Sequence, residues 1–188
     1  LLTTDRDAYG IYVQSPFPKE NRRILIGSDV SSRYTRRNRA EYRKIAGYIA
    51  RCVWQRQGNY MVFFPSYRLM EDVLQVYEEE FSVDWVRCVC QTPDMTEQER
   101  EGFLEEFQER EGTLVGFCVL GGIFSEGVDL TGESLIGAVI VGTGLPQIGS
   151  QREILKEYYD KKNHCGFDYA YRYPGMNKVL QAAGRVIR

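Results

Sequence analysis

The chain alternates short apolar runs with longer segments in which apolar residues recur every three or four positions. Apolar runs of strand length occupy residues 60–64, 86–90, 113–120 and 136–141. Helical spacing occupies residues 41–57, 150–162 and 176–188, and further helices begin at Ser66, a capping residue, and at the capping box of Thr96 and Glu99. Apolar strands separated by helices are typical of parallel sheets covered on both faces. The pattern therefore predicts an α/β domain in three layers, with a mostly parallel sheet flanked by helices.

Three other segments bear on the domain organisation. Residues 23–27 have the composition of a further strand, whereas residues 164–173 are aromatic and predict irregular structure. Residues 1–22 are expected to be a short segment leading into the domain, because Ser15-Pro16-Phe17-Pro18 cannot continue a helix. The sequence has no initiator methionine and stops inside a helical pattern. Residues 1–188 are therefore expected to form one domain of a longer chain.

Composition narrows the function classes. The 24 basic and 26 acidic residues give a net charge of −2, so any nucleic-acid binding must come from local patches. No apolar run reaches the ~18 residues that a membrane span requires, and we expect no membrane partner. The five cysteines show no CxxC spacing or paired framework, which suits a reducing cytoplasm. These features predict a cytoplasmic protein.

The loop at residues 121–129 is the first candidate site. In parallel α/β sheets, ligands bind beyond the carboxyl ends of the strands, and this loop follows a predicted strand. It displays Glu126 and Asp129 among three glycines, but Val128 stands where a phosphate-binding loop requires lysine. The spacing alone fits a tight structural turn equally well.

The last predicted helix carries the second candidate site. Gln181, Gly184, Arg185 and Arg188 share one narrow face, and Gly184 leaves room for another surface to approach. The opposite face, predicted to pack on the sheet, carries Val179, Ala183, Val186 and Ile187. Two guanidinium groups one turn apart can bind a phosphate or carboxylate cluster. A solvated basic face at a helix end is the alternative.

Four weaker candidates have simpler explanations. Cys88 and Cys90 are expected to be small buried residues, and His164 beside Cys165 is a weak metal pair. The basic run at residues 33–44 favours a solvated face over a phosphate track. The tyrosines and phenylalanine of residues 158–173 favour packing at the sheet edge over base stacking.

Three motifs together resemble a known family. Met61-Val62-Phe63-Phe64-Pro65-Ser66-Tyr67 is similar to the fourth helicase motif of the XPD/DinG-like DNA helicases in superfamily 2. Residues 122–129 resemble the fifth motif, G-x-F-x-E-G-x-D, and residues 181–188 match the sixth, Q-x-x-G-R-x-x-R. The order of the three motifs along the chain and the distances between them also fit this family. The chain as a whole resembles the C-terminal RecA-like motor domain of these helicases.

The resemblance implies a nucleotide site shared with a second domain. ATP and Mg²⁺ would be held mainly by the N-terminal motor domain of the same parent chain, which carries the Walker motifs absent here. Arg185 and Arg188 would contact the γ-phosphate as catalytic arginine fingers. Nucleotide binding and its coupling to DNA would involve Gln181, Gly184, Glu126, Gly127 and Asp129.

The resemblance also implies a path for single-stranded DNA, with phosphates held around Ser66, Tyr67 and Ser125. Members of the family move 5′ to 3′ along the strand. The chain offers no set of metal ligands, so an iron–sulfur cluster is expected only elsewhere in the parent. The isolated domain is expected to be inactive as an ATPase.

Two other function classes remain open on the residues alone. One is a nucleotide-independent α/β interaction domain whose arginine face docks an acidic partner. The other is a Rossmann-like enzyme that uses Glu126 and Asp129 as acid and base, although it would lack the glycine fingerprint for phosphate.

Overall fold

The computed structural model describes residues 13–14, 17–108, 112–124 and 134–186. This part of the chain contains one sheet of four parallel strands: β1 (Asn59–Phe64), β2 (Val86–Cys90), β3 (Thr113–Val119) and β4 (Gly137–Ile140). The strand order is β2-β3-β1-β4. In the register, Asn59 is opposite Leu114 and Tyr60 is opposite Gly137. The parallel sheet predicted from the apolar runs is confirmed.

The described residues include five α-helices, of which the first three begin at a residue whose side chain caps them. They are α1 (Arg39–Val53), α2 (Tyr67–Glu80), α3 (Glu97–Glu105), α4 (Ser150–Asn163) and α5 (Tyr173–Gly184). Short 3₁₀ turns occupy Lys19–Asn21, Tyr34–Arg36 and Glu106–Gln108. Ser66 accepts the Leu69 N–H at 3.4 Å, and the capping box of Thr96 and Glu99 has both of its hydrogen bonds. Across the described ranges, no helix combines the length and apolar character needed to cross a bilayer.

The core lies on both faces of the sheet, because successive strand residues point to opposite sides. On one side, Val62 and Phe64 pack with α1 and α2, which contribute the following buried residues: Ile45, Ile49, Val53, Leu69, Val73 and Tyr77. On the other side, Met61 and Phe63 pack with Phe103, Phe107 and Ala182. The three-layer α/β fold is therefore the observed one.

Three expectations about local structure were wrong. Residues 23–27 form no strand; their apolar side chains are largely exposed, and no strand of the described sheet pairs with them. The segment after α4 is helical, with a π-helical turn at Asp168–Arg172 that runs directly into α5. Stacking of Tyr169 on Tyr159, with ring centroids 3.9 Å apart, stabilises this turn. The apolar run at residues 136–141 predicted a strand buried on both faces, but β4 is a half-buried edge strand, because only β1 pairs with it among the described strands.

Candidate functional site

The carboxyl ends of the four described strands meet at one edge of the sheet. The amino end of α2 follows β1 there, Gln91 follows β2, and Gly121 and Gly122 follow β3. Gly121 has φ of +72°, a left-handed conformation that glycine adopts without strain, so the chain turns sharply as it leaves β3. Three loops or helix ends are thereby brought to the same edge.

Helix α5 passes close to this edge. A Cβ placed on Gly121 would lie 3.1 Å from Cε and 3.3 Å from Nζ of Lys178, so the lysine side chain lies directly against the loop after β3. Gly175 is equally close to the loop after β4, because a Cβ there would lie 3.1 Å from the Thr143 carbonyl oxygen. Helix α5 is therefore packed against both loops.

The exposed face of α5 carries Gln181 and Gly184. Nothing lies within 4 Å of a Cβ placed on Gly184, and the Gln181 side chain is exposed. Arg185 follows the helix as its C-cap and is half-buried. A basic, side-chain-poor surface of this kind can be approached closely by a second surface that carries negative charge.

The buried face of α5 is centred on Ala182, which is 0% exposed. This differs from the sequence expectation, in which Ala183 pointed to the sheet; Ala183 and Val179 are only half-buried. The contact of Gly175 with the loop after β4 sets this rotation, because Gly175 and Ala182 are two turns apart on one face. Val186 packs against the core as expected.

The amino end of α2 presents Ser66 and Tyr67. No described residue accepts the backbone N–H groups of Tyr67 and Arg68, which point out of the first turn as in any helix. The Tyr67 hydroxyl accepts a hydrogen bond from Gln91 Nε2 at 2.9 Å and donates to the Thr92 carbonyl at 3.4 Å. Burial raises the pKa of Tyr67, so this phenol stays neutral.

Sequence reasoning missed two residues at this edge. Lys178 lies seven positions before Arg185, a spacing that places both cations on one side of a helix and could have revealed it. Gln91 is 3% exposed, and its Oε1 accepts the Val119 N–H at 3.0 Å. The available signal was a polar residue directly after an apolar strand, at the edge where ligands bind.

Several predicted site residues lie outside the described ranges: Ser125, Glu126, Gly127, Asp129 and Arg188. The residue that precedes the first four, Phe124, is 1% exposed and stacks on Phe103 with ring centroids 4.2 Å apart. Phe124, the last described residue of this part of the loop, is therefore packed in the core.

The cysteine and histidine candidates have structural explanations. Cys88 and Cys90 are half-buried against the core, not fully buried as the sequence predicted, and this burial raises the pKa of both thiols to about 11. His164 ends α4 in a left-handed conformation, with φ of 58°. Within the described residues, no group of three or more histidine, cysteine or acidic side chains could hold a metal ion.

The basic run and the aromatic cluster also make internal contacts. Arg39 bonds Glu79 at 2.7 Å, and Arg43 pairs with Glu80, which ties α1 to α2. Stacked and edge-on contacts link the aromatic residues of α4, the π-helical turn and α5: Tyr158, Tyr159, Phe167, Tyr169, Tyr171 and Tyr173. These contacts favour ion pairing as the role of the basic run. The aromatic residues pack against one another between helices, but four of the six remain exposed: Tyr158, Phe167, Tyr169 and Tyr173.

Comparison with known proteins connects this edge to a family. Residues 49–188 match the family model described as helicase C-terminal domain. The chain is 28% identical over 174 residues to the ATP-dependent DNA helicase XPD of Sulfolobus acidocaldarius, covering 87% of the chain. It is also 28% identical over 189 residues to a probable ATP-dependent helicase of Methanocaldococcus jannaschii, covering 95% of the chain. It spans only 28% of the length of either relative.

Solved structures agree with the sequence relatives. An XPD helicase structure superposes with a TM-score of 0.66 and 25% identity, over 86% of this chain and 28% of that one. An apo XPD structure gives a TM-score of 0.64 at 23% identity, over 84% of this chain and 31% of the other. Because the family model covers most of the residues and the fold agrees, the chain belongs to the helicase C-terminal domain family and is an XPD-like member of it.

Proposed function

We propose that this chain is the second motor domain of an ATP-dependent DNA helicase and that it completes a nucleotide site begun by an N-terminal motor domain. The observation that carries the proposal is the surface of α5. Gln181 and Gly184 are exposed and Arg185 is half-buried, whereas Ala182 between them is buried in the core. The helix thus leaves Gln181 and Gly184 open to a partner domain.

Arg185 is the proposed catalytic residue, together with Arg188. In phosphoryl transfer, an arginine that reaches the γ-phosphate from across a domain cleft neutralises charge that develops in the transition state. ATP itself, with Mg²⁺, would be held by the partner domain. Gly184 carries no side chain, so the facing surface can come close enough for the guanidinium to reach the phosphate. The chain alone supplies no Walker lysine and would not hydrolyse ATP.

Single-stranded DNA is the proposed second ligand. The Ser66 hydroxyl and the outward N–H groups of Tyr67 and Arg68 form a phosphate-binding end at α2. Ser125 would add a second hydroxyl from the loop after β3. Glu126, Gly127 and Asp129 would link this strand-binding edge to the nucleotide. Cleft opening and closing would then move the strand, in the 5′ to 3′ direction typical of the family.

The test is an Arg185→Ala substitution in the intact parent protein. Turnover of ATP in the presence of single-stranded DNA is expected to fall by about 10³-fold or more, while nucleotide affinity changes little. Arg43→Ala is the matched control, because it removes an arginine that pairs with Glu80 on the α1–α2 side. Near-normal turnover of the Arg185 variant would refute the finger assignment and would favour a surface that docks an acidic partner.

A further inference from the structure

Gln91 is a buried amide with two directional bonds at the carboxyl edge of the sheet. Its Oε1 accepts the backbone N–H of Val119, the last residue of β3, at 3.0 Å. Its Nε2 donates to the hydroxyl of Tyr67, the first residue of α2, at 2.9 Å. The side chain therefore joins the end of one strand to the beginning of the helix that follows another.

This side chain links elements that follow two non-adjacent strands of the sheet. Gln91 continues β2, and β3 lies between β2 and β1 in the sheet. By reaching Tyr67, Gln91 connects the edge strand to the helix that follows the strand two positions away. The next contact is with the loop after β3, because a Cβ on Gly122 would lie 3.1 Å from Gln91 Nε2.

The two ends of the link lead toward two groups of proposed functional residues. Tyr67 opens α2, whose amino end is the proposed phosphate-binding end for DNA. Val119 and Gly122 begin the loop that leads to Glu126 and Asp129, the proposed coupling residues. A buried hydrogen-bonded amide fixes such a geometry firmly, because a broken bond leaves a polar group unsatisfied inside the protein.

We infer that Gln91 is a positioning residue that couples the DNA-binding end of α2 to the loop after β3. The inference rests on the proposed helicase function and deepens it. Gln91 acts through Tyr67 and Val119, and it need not touch either ligand. Its loss is expected to weaken the DNA response of ATP hydrolysis more than hydrolysis without DNA.

The experiment compares Gln91→Met with Asn59→Leu in the intact parent protein. Methionine keeps the size of glutamine and removes both bonds. Asn59 is the matched control, because it is also a buried amide, 5% exposed, that bonds the Phe107 and Ser134 carbonyls at the opposite end of the sheet. Both variants are expected to lower the melting temperature. ATP turnover is then measured against the concentration of oligothymidylate.

Gln91→Met is expected to raise the oligothymidylate concentration for half-maximal stimulation by about three- to tenfold, the value of one lost hydrogen bond. Asn59→Leu should leave that concentration unchanged. Equal DNA responses of the two variants would overturn the inference and assign Gln91 to stability alone. A wild-type parent without DNA-stimulated hydrolysis would instead overturn the proposed function, and the inference with it.

A double-mutant cycle with Tyr67→Phe isolates the link itself. Phenylalanine removes the hydroxyl that accepts from Gln91 and leaves the bond from Val119 in place. If Gln91 acts through Tyr67, the double variant should respond to DNA no worse than Gln91→Met alone. Effects that multiply in the double variant would show independent roles and would overturn the coupling.

Discussion

Gly184 offers a test in which stability and function should move in opposite directions. The perturbation is Gly184→Ala, which adds one methyl group to the exposed face of α5. The structure leaves the methyl group free of clashes in this chain, because nothing lies within 4 Å of its position. Alanine is about 1 kcal/mol better than glycine inside a helix, and we expect about half of that at the last residue of α5.

The expected shift in melting temperature follows from the size of the chain. The unfolding entropy of 188 residues is about 0.4 kcal/mol/K, so a gain of about 0.5 kcal/mol raises the melting temperature by about 1 °C. In the parent protein, the same methyl group would meet the facing domain. Overpacking at a close contact costs about 1–3 kcal/mol, so kcat/KM for ATP should fall by about fivefold or more.

Gly102 provides the matched control. It lies within α3, and a Cβ there also meets nothing within 4 Å. Gly102→Ala should therefore raise stability, by about 1 kcal/mol, without changing turnover. Calorimetry of the chain and ATPase assays of the parent measure the two effects. Full turnover of the Gly184→Ala variant would show that no second surface approaches this glycine closely. A lowered melting temperature would show that the added methyl group does not fit within the chain itself.

Two further predictions use other residues. Lys178→Ala should lower DNA-stimulated turnover of the parent by about tenfold, because it removes the cation that lies against the loop after β3; tenfold is about the value of one hydrogen bond from a charged group. Lys161→Ala, on the exposed side of α4, should leave turnover unchanged. Equal effects of the two variants in ATPase assays would argue against a specific role of Lys178. Because the pKa of the Cys88 and Cys90 thiols is raised to about 11, the folded chain keeps protons that the unfolded chain releases near pH 9. The free energy of unfolding that the two protonated thiols contribute is thus present below pH 9 and is lost as the pH rises toward 11. Urea unfolding at stepped pH measures this loss, and a urea midpoint that stays constant between pH 9 and 11 would contradict it.

Features that depend on neighbouring residues in the sequence were predictable. The β2 strand has the predicted bounds, Val86–Cys90, and the caps at Ser66 and Thr96 are present. The caps depend on backbone groups within one turn of the residue, and the strand was marked by its local run of apolar residues. The layer order also followed from sequence, because alternating strands and helices leave few ways to cover a parallel sheet.

Features that depend on distant contacts were not predictable. The rotation of α5 depends on the contact between Gly175 and the Thr143 carbonyl, and the π-helical turn depends on Tyr159 stacking from α4. The Gln91 link spans the sheet, so no periodicity in the chain reveals it. The motif residues were identifiable because their chemistry is carried by residue type and spacing, whereas their supporting contacts are three-dimensional.

The strand order has a consequence for how the chain is made. β1 lies inside the sheet, yet its neighbours β3 and β4 both come later in the sequence, and β2 also waits for β3. β1 can therefore complete its first strand pairing only after Val119 has left the ribosome, 55 residues after Phe64. At about 5–20 residues per second, the apolar segment Asn59–Phe64 waits about 3–11 s without a partner. During that interval the apolar residues of this segment lack the neighbouring strands that flank them in the folded chain.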